Sequence, residues 1–428
     1  MSRFLLRSST ASRLVLRQHL AAPFSTAHAL QRKKVMFPGA LDSSYSHDLK
    51  FVSNVESIPT YQVMDIDGKV LDHAHEPQMS RDDARTMYKN MLTLNAMDSV
   101  LYEAQRQGRI SFYMTSFGEE ALIGSAAALD PKDQVFGQYR EAGVLLQRGF
   151  TLEQFMNQCY SNEMDLGKGR QMPVHYGSKE LNFQTISSPL ATQIPQASGA
   201  AYAMRRDGSK QCVICYFGEG AASEGDFHAG LNMAATLGCP VIFYCRNNGY
   251  AISTPSIEQY RGDGIASRGI GYGIDTIRVD GNDIWAIYEA TKAARKLAVE
   301  ENKPVLIEAM TYRVSHHSTS DDSSAYRSKK EVEDWSKRDN PLARMRAWLM
   351  NKGWWEANED VEVTKAAKAA VLKAFADAEK LKKPAAKEMY EDVYDELIPE
   401  LVREKAEVDA LLKKYPDYYQ VNDFAKSA

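Results

Sequence analysis

The stretch Val213–Tyr250, VICYFGEGAASEGDFHAGLNMAATLGCPVIFYCRNNGY, decides the fold of this chain. Its first apolar run, Cys212–Phe217, is rich in β-formers and predicts a buried parallel strand. A glycine turn follows, and Ser223 with an acid three residues later resembles a capping box, which predicts a helix from there to Gly238. The second apolar run, Val241–Cys245, predicts the next strand. We therefore expect a right-handed βαβ unit.

The two turns of such a unit lie at the carboxyl ends of adjacent parallel strands. Glu219 in the first turn and the pair Asn247–Asn248 after the second strand would thus face each other. A carboxylate, an amide oxygen and glycine backbone beside a helix start suit an anionic phosphate bridged by Mg²⁺. The stretch therefore predicts a phosphate and magnesium site.

The turn Gly218-Glu219-Gly220 also fits an alternative of a different class, an NAD-dependent dehydrogenase. In that reading the third glycine of G-x-G-x-x-G is replaced by Ser223. The next strand ends in amides rather than in the acid that holds a ribose hydroxyl. Both departures count against a nicotinamide cofactor.

Length and composition set broad limits on the class of protein. The chain has 428 residues, 44% hydrophobic and 25% charged, which is an ordinary globular profile. The net charge of −4 gives no reason to expect nucleic acid, and no apolar run reaches the ~18 residues of a membrane span. Cys212 and Cys215 form a C-x-x-C within a predicted strand, where they point to opposite faces; two buried thiols are favoured over a zinc or redox site.

The amino terminus differs from the rest of the chain. Residues 1–41 contain no acid and carry Arg3, Arg7, Arg13 and Arg17 among Ser, Thr, Ala and Leu. That composition is typical of a mitochondrial transit peptide, and a disordered basic arm is the alternative.

We divide the chain into a transit peptide (1–34), an amino-terminal arm (35–80), a main domain (81–383) and a helical tail (384–428). The many tyrosines of the tail predict a subunit interface.

Several further elements follow from local signals. Ser80 before two acids predicts the cap of a helix that runs to about Arg106. Gly108–Tyr113 predicts a short turn and strand, and Glu119–Ala128 a helix of small residues. Pro189 predicts the first position of another helix.

The alternation of strands and helices continues after the opening stretch. Thr276–Val279 predicts a strand, Asp283 the cap of a helix over Ile284–Val299, and Val305–Tyr312 another strand. This order is typical of the α/β class, with a parallel sheet and helices on both faces. Residues 331–383 are expected to be helical.

The acid in a Gly-x-Gly turn, followed about 27 residues later by an Asn pair, resembles the signature of the thiamin diphosphate-binding fold. That turn usually carries Asp, and Glu219 is a variation found in one branch. Longer blocks resemble the E1 α subunits of mitochondrial branched-chain 2-oxo acid dehydrogenase complexes: GQYREAGVLLQRG, GKGRQMPVHYG, ISSPLATQIPQA, FGEGAASEGDFHAG, CRNNGYAISTP, EQYRGDGIASRG and HHSTSDDSSAYRS. The pyruvate dehydrogenase α subunit is the alternative within this fold, and it differs in the second and last blocks.

The resemblance implies thiamin diphosphate, Mg²⁺ and K⁺ as cofactors. It also implies roles for individual residues of this chain. The implied Mg²⁺ ligands are Glu219, Asn248 and the carbonyl of Tyr250. The implied cofactor contacts are Tyr139, Arg140, Ser188, Leu190, Gly220, Ala221, Arg246 and His317. The implied K⁺ ligands are Ser187, Pro189, Thr192 and Gln193. His317 is the implied catalytic residue, although the residues alone do not separate it from His316.

The same resemblance implies partners and regulation. It implies an α2β2 assembly in the mitochondrial matrix, in which the β subunit supplies the activating glutamate, and acyl transfer to the lipoyl group of an E2 protein. It implies a regulatory kinase and phosphatase that act on Ser318 and Ser328. We expect phosphate on Ser318 to disorder its loop and switch the enzyme off. A non-catalytic assembly subunit is the remaining alternative, which the intact implied ligand set disfavours.

Overall fold

The computed structural model describes residues 34–35, 43–44, 47–53 and 56–426 in two compact units. In the first unit, residues 1–55, β1 (Lys34–Val35) pairs antiparallel with β2 (Ser43–Ser44). The predicted transit peptide lies outside the described residues except for its last residue. The second unit, residues 56–428, includes part of the segment assigned to the amino-terminal arm, because Thr60–Tyr61 joins its main sheet.

The second unit is built on a seven-stranded sheet in which every pairing is parallel, as predicted. The strands of this unit are β3 (Thr60–Tyr61), β4 (Gln134–Phe136), β5 (Phe183–Gln184), β6 (Val213–Gly218), β7 (Val241–Asn247), β8 (Tyr250–Ala251), β9 (Thr254–Pro255), β10 (Asp275–Asp280) and β11 (Val305–Met310). Their order in the sheet is β3-β10-β11-β7-β6-β4-β5. A separate antiparallel pair, β8 and β9, follows β7.

Helices surround the sheet and form the carboxyl-terminal region. They are α1 (Arg81–Arg106), α2 (Ile123–Ala127), α3 (Ala142–Gln147), α4 (Leu152–Tyr160), α5 (Gln193–Asp207), α6 (Gly225–Leu237), α7 (Ser256–Gln259), α8 (Ala266–Gly271), α9 (Ile284–Glu301), α10 (Lys329–Arg338), α11 (Pro341–Asn351), α12 (Ala357–Ala378) and α13 (Pro399–Lys414). The predicted caps are confirmed: Ser80 accepts a hydrogen bond from the Asp83 amide, and Asp283 accepts from Trp285 and Ala286. No helix within the described ranges is long and apolar enough to cross a membrane.

The sheet separates two apolar cores, so helices cover both of its faces. Cys212 of the first predicted strand lies in the core with α1 and α9, whereas Cys215 lies in the core with α5 and α6. The predicted opposite orientation of these two buried thiols is confirmed. The alternation of β6 residues between two apolar layers explains why this strand is apolar throughout.

The predicted capping box is wrong. Helix α6 begins at Gly225, and its first residue is preceded by Glu224, whose side chain makes no capping bond. Ser223 lies instead in a 3-10 turn, Ala221–Ser223, and so cannot take the extended backbone that an N-cap needs. The predicted end is confirmed, because Gly238 terminates the helix at φ 59°.

Two other local predictions are also wrong. The turn predicted at Gly108 is present, but no strand follows it as far as Tyr113, because the Tyr113 amide donates to the side chain of Thr319 rather than to a neighbouring strand. Helix α5 begins at Gln193 and not at Pro189, since Ala191 takes a left-handed conformation at φ 68° that interrupts any helix through it.

Candidate functional site

The predicted site residues follow strands that lie side by side in the sheet. Glu219 comes directly after β6, and Arg246 and Asn248 lie at and after the end of β7. Arg140 follows β4, and His317 follows β11. Because all four strands are parallel, these residues gather at the carboxyl edge, where α/β proteins bind their ligands.

Glu219 and Asn248 are in contact, as the βαβ argument predicts. The backbone N–H of Asn248 donates to Glu219 Oε2 at 3.3 Å. Both side chains are buried, and Glu219 Oε1 has no hydrogen-bond partner among the described residues. Burial, together with repulsion from Glu119, raises the pKa of Glu219 to about 7. A buried carboxylate oxygen without a partner is costly unless a ligand completes it.

Two acids that the sequence did not single out complete the centre of the site. Glu119 Oε2 accepts from Arg246 Nη1 at 2.7 Å, and Glu141 Oε1 accepts from Arg246 Nε at 3.0 Å. Glu119 Oε1 also accepts from Asn248 Nδ2 at 2.8 Å. An arginine at the end of an apolar strand signals a buried acidic partner, but not which residue supplies it.

Ion pairing outweighs burial in its effect on the pKa values of Glu119 and Arg246. Burial alone would raise the pKa of Glu119, but the facing guanidinium groups of Arg246 and Arg140 hold it below its usual range. Burial alone would lower the pKa of Arg246, but Glu141 and Glu119 raise it above its usual range. Glu119 and Arg246 therefore stay ionised at neutral pH. The Arg246 Nη2 atom lies 3.0 Å from Glu141 Oε1 but has no hydrogen-bond partner among the described residues.

Arg140 and His317 meet on the other side of this cluster. Arg140 is buried, and its Nη2 donates to the His317 carbonyl oxygen and lies 3.3 Å from His317 Nδ1. The His317 ring packs edge-on against Tyr139, with centroids 6.0 Å apart. Burial lowers the pKa of His317 to about 3, with further depression by Arg140 and Arg313. The imidazole is therefore neutral at physiological pH.

The structure distinguishes the surroundings of the two adjacent histidines, His316 and His317, which the sequence alone does not distinguish. His316 Nδ1 accepts from the Ser323 amide at 2.9 Å, within its own loop. His317 instead faces Arg140 and Tyr139, which follow the neighbouring strand β4. Of the two histidines, only His317 contacts residues that are themselves implied to bind the cofactor.

The turn with the implied K⁺ ligands precedes α5. Residues 187–190 are exposed, whereas Gln193 is buried and its Nε2 donates to the Tyr216 carbonyl at 3.1 Å. Thr192 Oγ1 donates to the Pro189 carbonyl at 3.1 Å, which closes the turn. Ser188 Oγ lies 2.6 Å from Nε2 of His175, a histidine to which the sequence assigns no role.

The two implied phosphorylation sites differ in accessibility. Ser318 is buried, and its Oγ accepts from the Ser320 amide at 3.2 Å. Ser328 is exposed and caps α10 by accepting from the Glu331 amide at 3.1 Å. A modifying enzyme can reach Ser328 in this conformation, but Ser318 requires its loop to open.

Comparison with known proteins agrees with this architecture. The family model described as the dehydrogenase E1 component matches residues 88–387. The chain belongs to this family of thiamin diphosphate-dependent 2-oxo acid dehydrogenase components. The predicted fold class and the predicted oxidoreductase class are thereby confirmed.

Its curated relatives give the branch of the family. The 2-oxoisovalerate dehydrogenase subunit alpha, mitochondrial, of Homo sapiens is 54% identical over 429 residues, covering 98% of this chain and 96% of the relative. The proteins of that name in Dictyostelium discoideum and Caenorhabditis elegans are 57% and 53% identical, covering 90% and 94% of this chain and 87% and 94% of the relatives. The resemblance to the branched-chain E1 α subunits is confirmed, and the names agree with the predicted mitochondrial location.

Proposed function

We propose that this chain is the α subunit of a mitochondrial thiamin diphosphate-dependent branched-chain 2-oxo acid dehydrogenase. The assembled enzyme oxidatively decarboxylates the 2-oxo acids derived from valine, leucine and isoleucine and transfers the acyl group to the lipoyl group of an E2 protein. One observation carries the site assignment: the Asn248 backbone contacts Glu219 at the carboxyl edge of the sheet, and Glu219 Oε1 has no hydrogen-bond partner among the residues that the structure describes.

The residues at this edge fit a diphosphate bridged by Mg²⁺. Glu219, Asn248 and the carbonyl of Tyr250 would supply three oxygen ligands of the kind Mg²⁺ takes. Arg246 Nη2 lies near Glu141 but has no hydrogen-bond partner in the described part of the chain, so it could donate to a phosphate oxygen. A β-carbon on Gly220 would lie 2.7 Å from Ala251 Cβ, so only glycine fits beside the hairpin that starts at Tyr250. Tyr139, Arg140 and Ala221 complete the proposed diphosphate contacts.

The turn before α5 supports the rest of the cofactor. Ser188 and Leu190 are exposed there and would contact it. Ser187, Pro189, Thr192 and Gln193 would bind K⁺ through hydroxyl, carbonyl and amide oxygens. The left-handed Ala191 within this turn is a sparsely populated conformation, of the kind that clusters at ligand sites.

Thiamin diphosphate, when bound, supplies the electron sink that decarboxylation of a 2-oxo acid requires. The chain itself would bind the diphosphate, hold the metal and contribute His317 to the reacting centre. The neutral imidazole can accept or donate a proton there, and Arg140 fixes the backbone that carries it. The acid that activates the cofactor would come from the β subunit.

The tail, 384–428, fits the proposed α2β2 interface. It is tied to the loop 161–170 by ion pairs, with Lys168 Nζ 2.6 Å from both Glu388 and Asp392 carboxylates. A cavity of about 980 Å³ lies between them, and its wall is mainly apolar. Tyr415, Tyr418 and Tyr419 are exposed on the single chain. Exposed aromatic residues beside an apolar cavity are typical of a surface that a partner subunit covers.

Regulation and location complete the proposal. The transit peptide, 1–34, would direct the chain to the mitochondrial matrix and be removed there. A kinase and a phosphatase would act on Ser318 and Ser328, since both lie in the loop that follows His317.

The test uses this chain assembled with its cognate β subunit. Calorimetric titration should show binding of thiamin diphosphate with Mg²⁺ and no binding of NAD. The assembly should decarboxylate 3-methyl-2-oxobutanoate faster than pyruvate at equal concentration. A preference for pyruvate would contradict the branched-chain assignment. Binding of NAD would contradict the assignment to the thiamin diphosphate-dependent enzymes. If the assembly binds neither cofactor, the chain is a non-catalytic assembly subunit.

A further inference from the structure

His175 lies in the loop 167–177, outside every role assigned above, and makes two side-chain hydrogen bonds. Its ring is buried, with Nδ1 3.1 Å from the Pro173 carbonyl and Nε2 2.6 Å from Ser188 Oγ. A carbonyl oxygen can only accept, so Nδ1 carries the proton. In the tautomer that has its proton on Nδ1, Nε2 is an acceptor, and the Ser188 hydroxyl donates to it.

The backbone around His175 is held on both sides. Val174 is buried at φ 66°, a conformation that a β-branched residue adopts only when the surroundings impose it. The Tyr176 ring packs edge-on against Phe155 at 4.9 Å, and its carbonyl accepts from the Ile186 amide at 3.0 Å. With its neighbours anchored in the core, His175 is directed at the turn that contains Ser188.

We infer that His175 is a positioning residue that turns the Ser188 hydroxyl into a hydrogen-bond acceptor for the bound cofactor. Because the Ser188 proton is committed to His175, the lone pairs of its oxygen are presented to the exposed side of the turn. The group that Ser188 recognises is therefore a hydrogen-bond donor or a cation, and not an anion. This inference rests on the proposed function, which makes Ser188 a cofactor contact.

Two substitutions separate the two hydrogen bonds of His175. In His175→Gln the amide oxygen can occupy the place of Nε2 and still accept from Ser188. In His175→Asn the amide nitrogen can occupy the place of Nδ1 and still donate to Pro173, but the acceptor for Ser188 is lost. Ser188→Ala removes the partner itself at an exposed position, where little packing is lost.

The experiment measures thiamin diphosphate binding to the assembly with the β subunit, by calorimetry and as the cofactor KM. We expect His175→Gln to bind within about twofold of the wild type and His175→Asn to bind roughly tenfold more weakly, as for loss of one hydrogen bond. The unfolding temperature without cofactor should change little in either His175 variant. Ser188→Ala should match His175→Asn in cofactor affinity, and the double variant should lose no more affinity than either single variant.

Other results overturn the inference. If His175→Asn binds normally and His175→Gln binds weakly, the contact with Pro173 is the one that matters. If both variants lower the unfolding temperature and weaken binding alike, His175 is merely structural. Additive losses in the double variant would show that His175 does not act through Ser188. If the wild-type assembly binds no thiamin diphosphate, the proposed function itself fails, a result distinguishable from all of these.

Discussion

Arg246 Nη1 lies 2.7 Å from Glu119 Oε2, and both side chains are buried beneath the proposed diphosphate site. Their positions along the chain differ by 127 residues, so the pair exists only in the folded protein. The pairing orients Arg246 before any ligand arrives. It also leaves Glu119 Oε1 free to hold the Asn248 amide group.

Glu119→Gln should therefore be strongly destabilising. Arg246 would keep its contact with Glu141, but the buried cluster would lose one of its two paired carboxylates, which costs about 3 kcal/mol of unfolding free energy. The exposed pair Glu333–Lys337, at 3.6 Å, provides the control, and Glu333→Gln should cost less than ~0.5 kcal/mol. Denaturant unfolding of the assembled enzyme measures both. Equal effects of the two substitutions would show that Glu119 carries no special energetic role.

Glu219→Gln should weaken Mg²⁺ binding without harming the fold. The amide keeps the shape of the side chain but removes the charge that a hard divalent cation needs. We expect the Mg²⁺ concentration for half-maximal activation to rise at least roughly tenfold, which is about 1.4 kcal/mol. The unfolding temperature without cofactor should stay level, because Glu219 Oε1 has no partner to lose within the described structure. An unchanged Mg²⁺ requirement would remove Glu219 from the metal site.

The sequence predicts the contact between Glu219 and Asn248 because that contact follows from topology. A strand, a helix and a second parallel strand bring their carboxyl ends together whatever the intervening residues are. The orientation of Cys212 and Cys215 is predicted for a similar reason, since strand periodicity alone determines it. These features need no knowledge of distant side chains.

Contacts between distant segments could not be predicted in this way. Glu119, Glu141 and His175 are ordinary residues in their local sequence, and only tertiary packing brings them to Arg246 and Ser188. The sequence also predicts the start of α5 incorrectly, because no local signal indicates that Ala191 adopts a left-handed conformation. Positive φ at alanine is imposed by the surrounding structure rather than by intrinsic preference.

The neutral His317 should make the cofactor-free enzyme sensitive to mild acid. Its pKa is lowered to about 3 in the folded state by burial, by Arg140 and by Arg313, whereas an unfolded histidine titrates near 6.5. Below about pH 6.5 the unfolded state binds a proton that the folded state does not, so stability falls as pH decreases. His317→Asn removes this contribution. The unfolding temperature of the wild type should thus drop more than that of the variant between pH 7.5 and 5.5; parallel profiles would contradict the low pKa.

Ser318→Glu should abolish decarboxylation, as the proposed phosphorylation requires. Ser318 is buried beside His317, whose amide donates to the Asp321 carboxylate at 2.7 Å. A new negative charge there is both desolvated and repelled by Asp321, so the loop must leave its position. Ser318→Ala is the matched control and should keep most of the activity. Limited proteolysis of the loop provides a second measurement, and full activity with Glu would reject the switch.

Gly220→Ala should weaken cofactor binding through a clash that a second substitution can relieve. A β-carbon at Gly220 would lie 2.7 Å from Ala251 Cβ, on the hairpin formed by β8 and β9. Because Gly220 has φ −63°, alanine there causes no backbone strain, and the clash acts alone. The hairpin must shift, and it carries the Tyr250 carbonyl away from the proposed Mg²⁺ position.

The double variant Gly220→Ala with Ala251→Gly distinguishes this clash from other effects of the added methyl group. Removing the Ala251 β-carbon restores the space, so thiamin diphosphate affinity should recover to near the wild-type value. We expect the single variant Gly220→Ala to bind about tenfold more weakly and Ala251→Gly alone to bind nearly normally. If the double variant stays as weak as Gly220→Ala, the methyl group obstructs the diphosphate directly, and glycine is required by the ligand rather than by the hairpin.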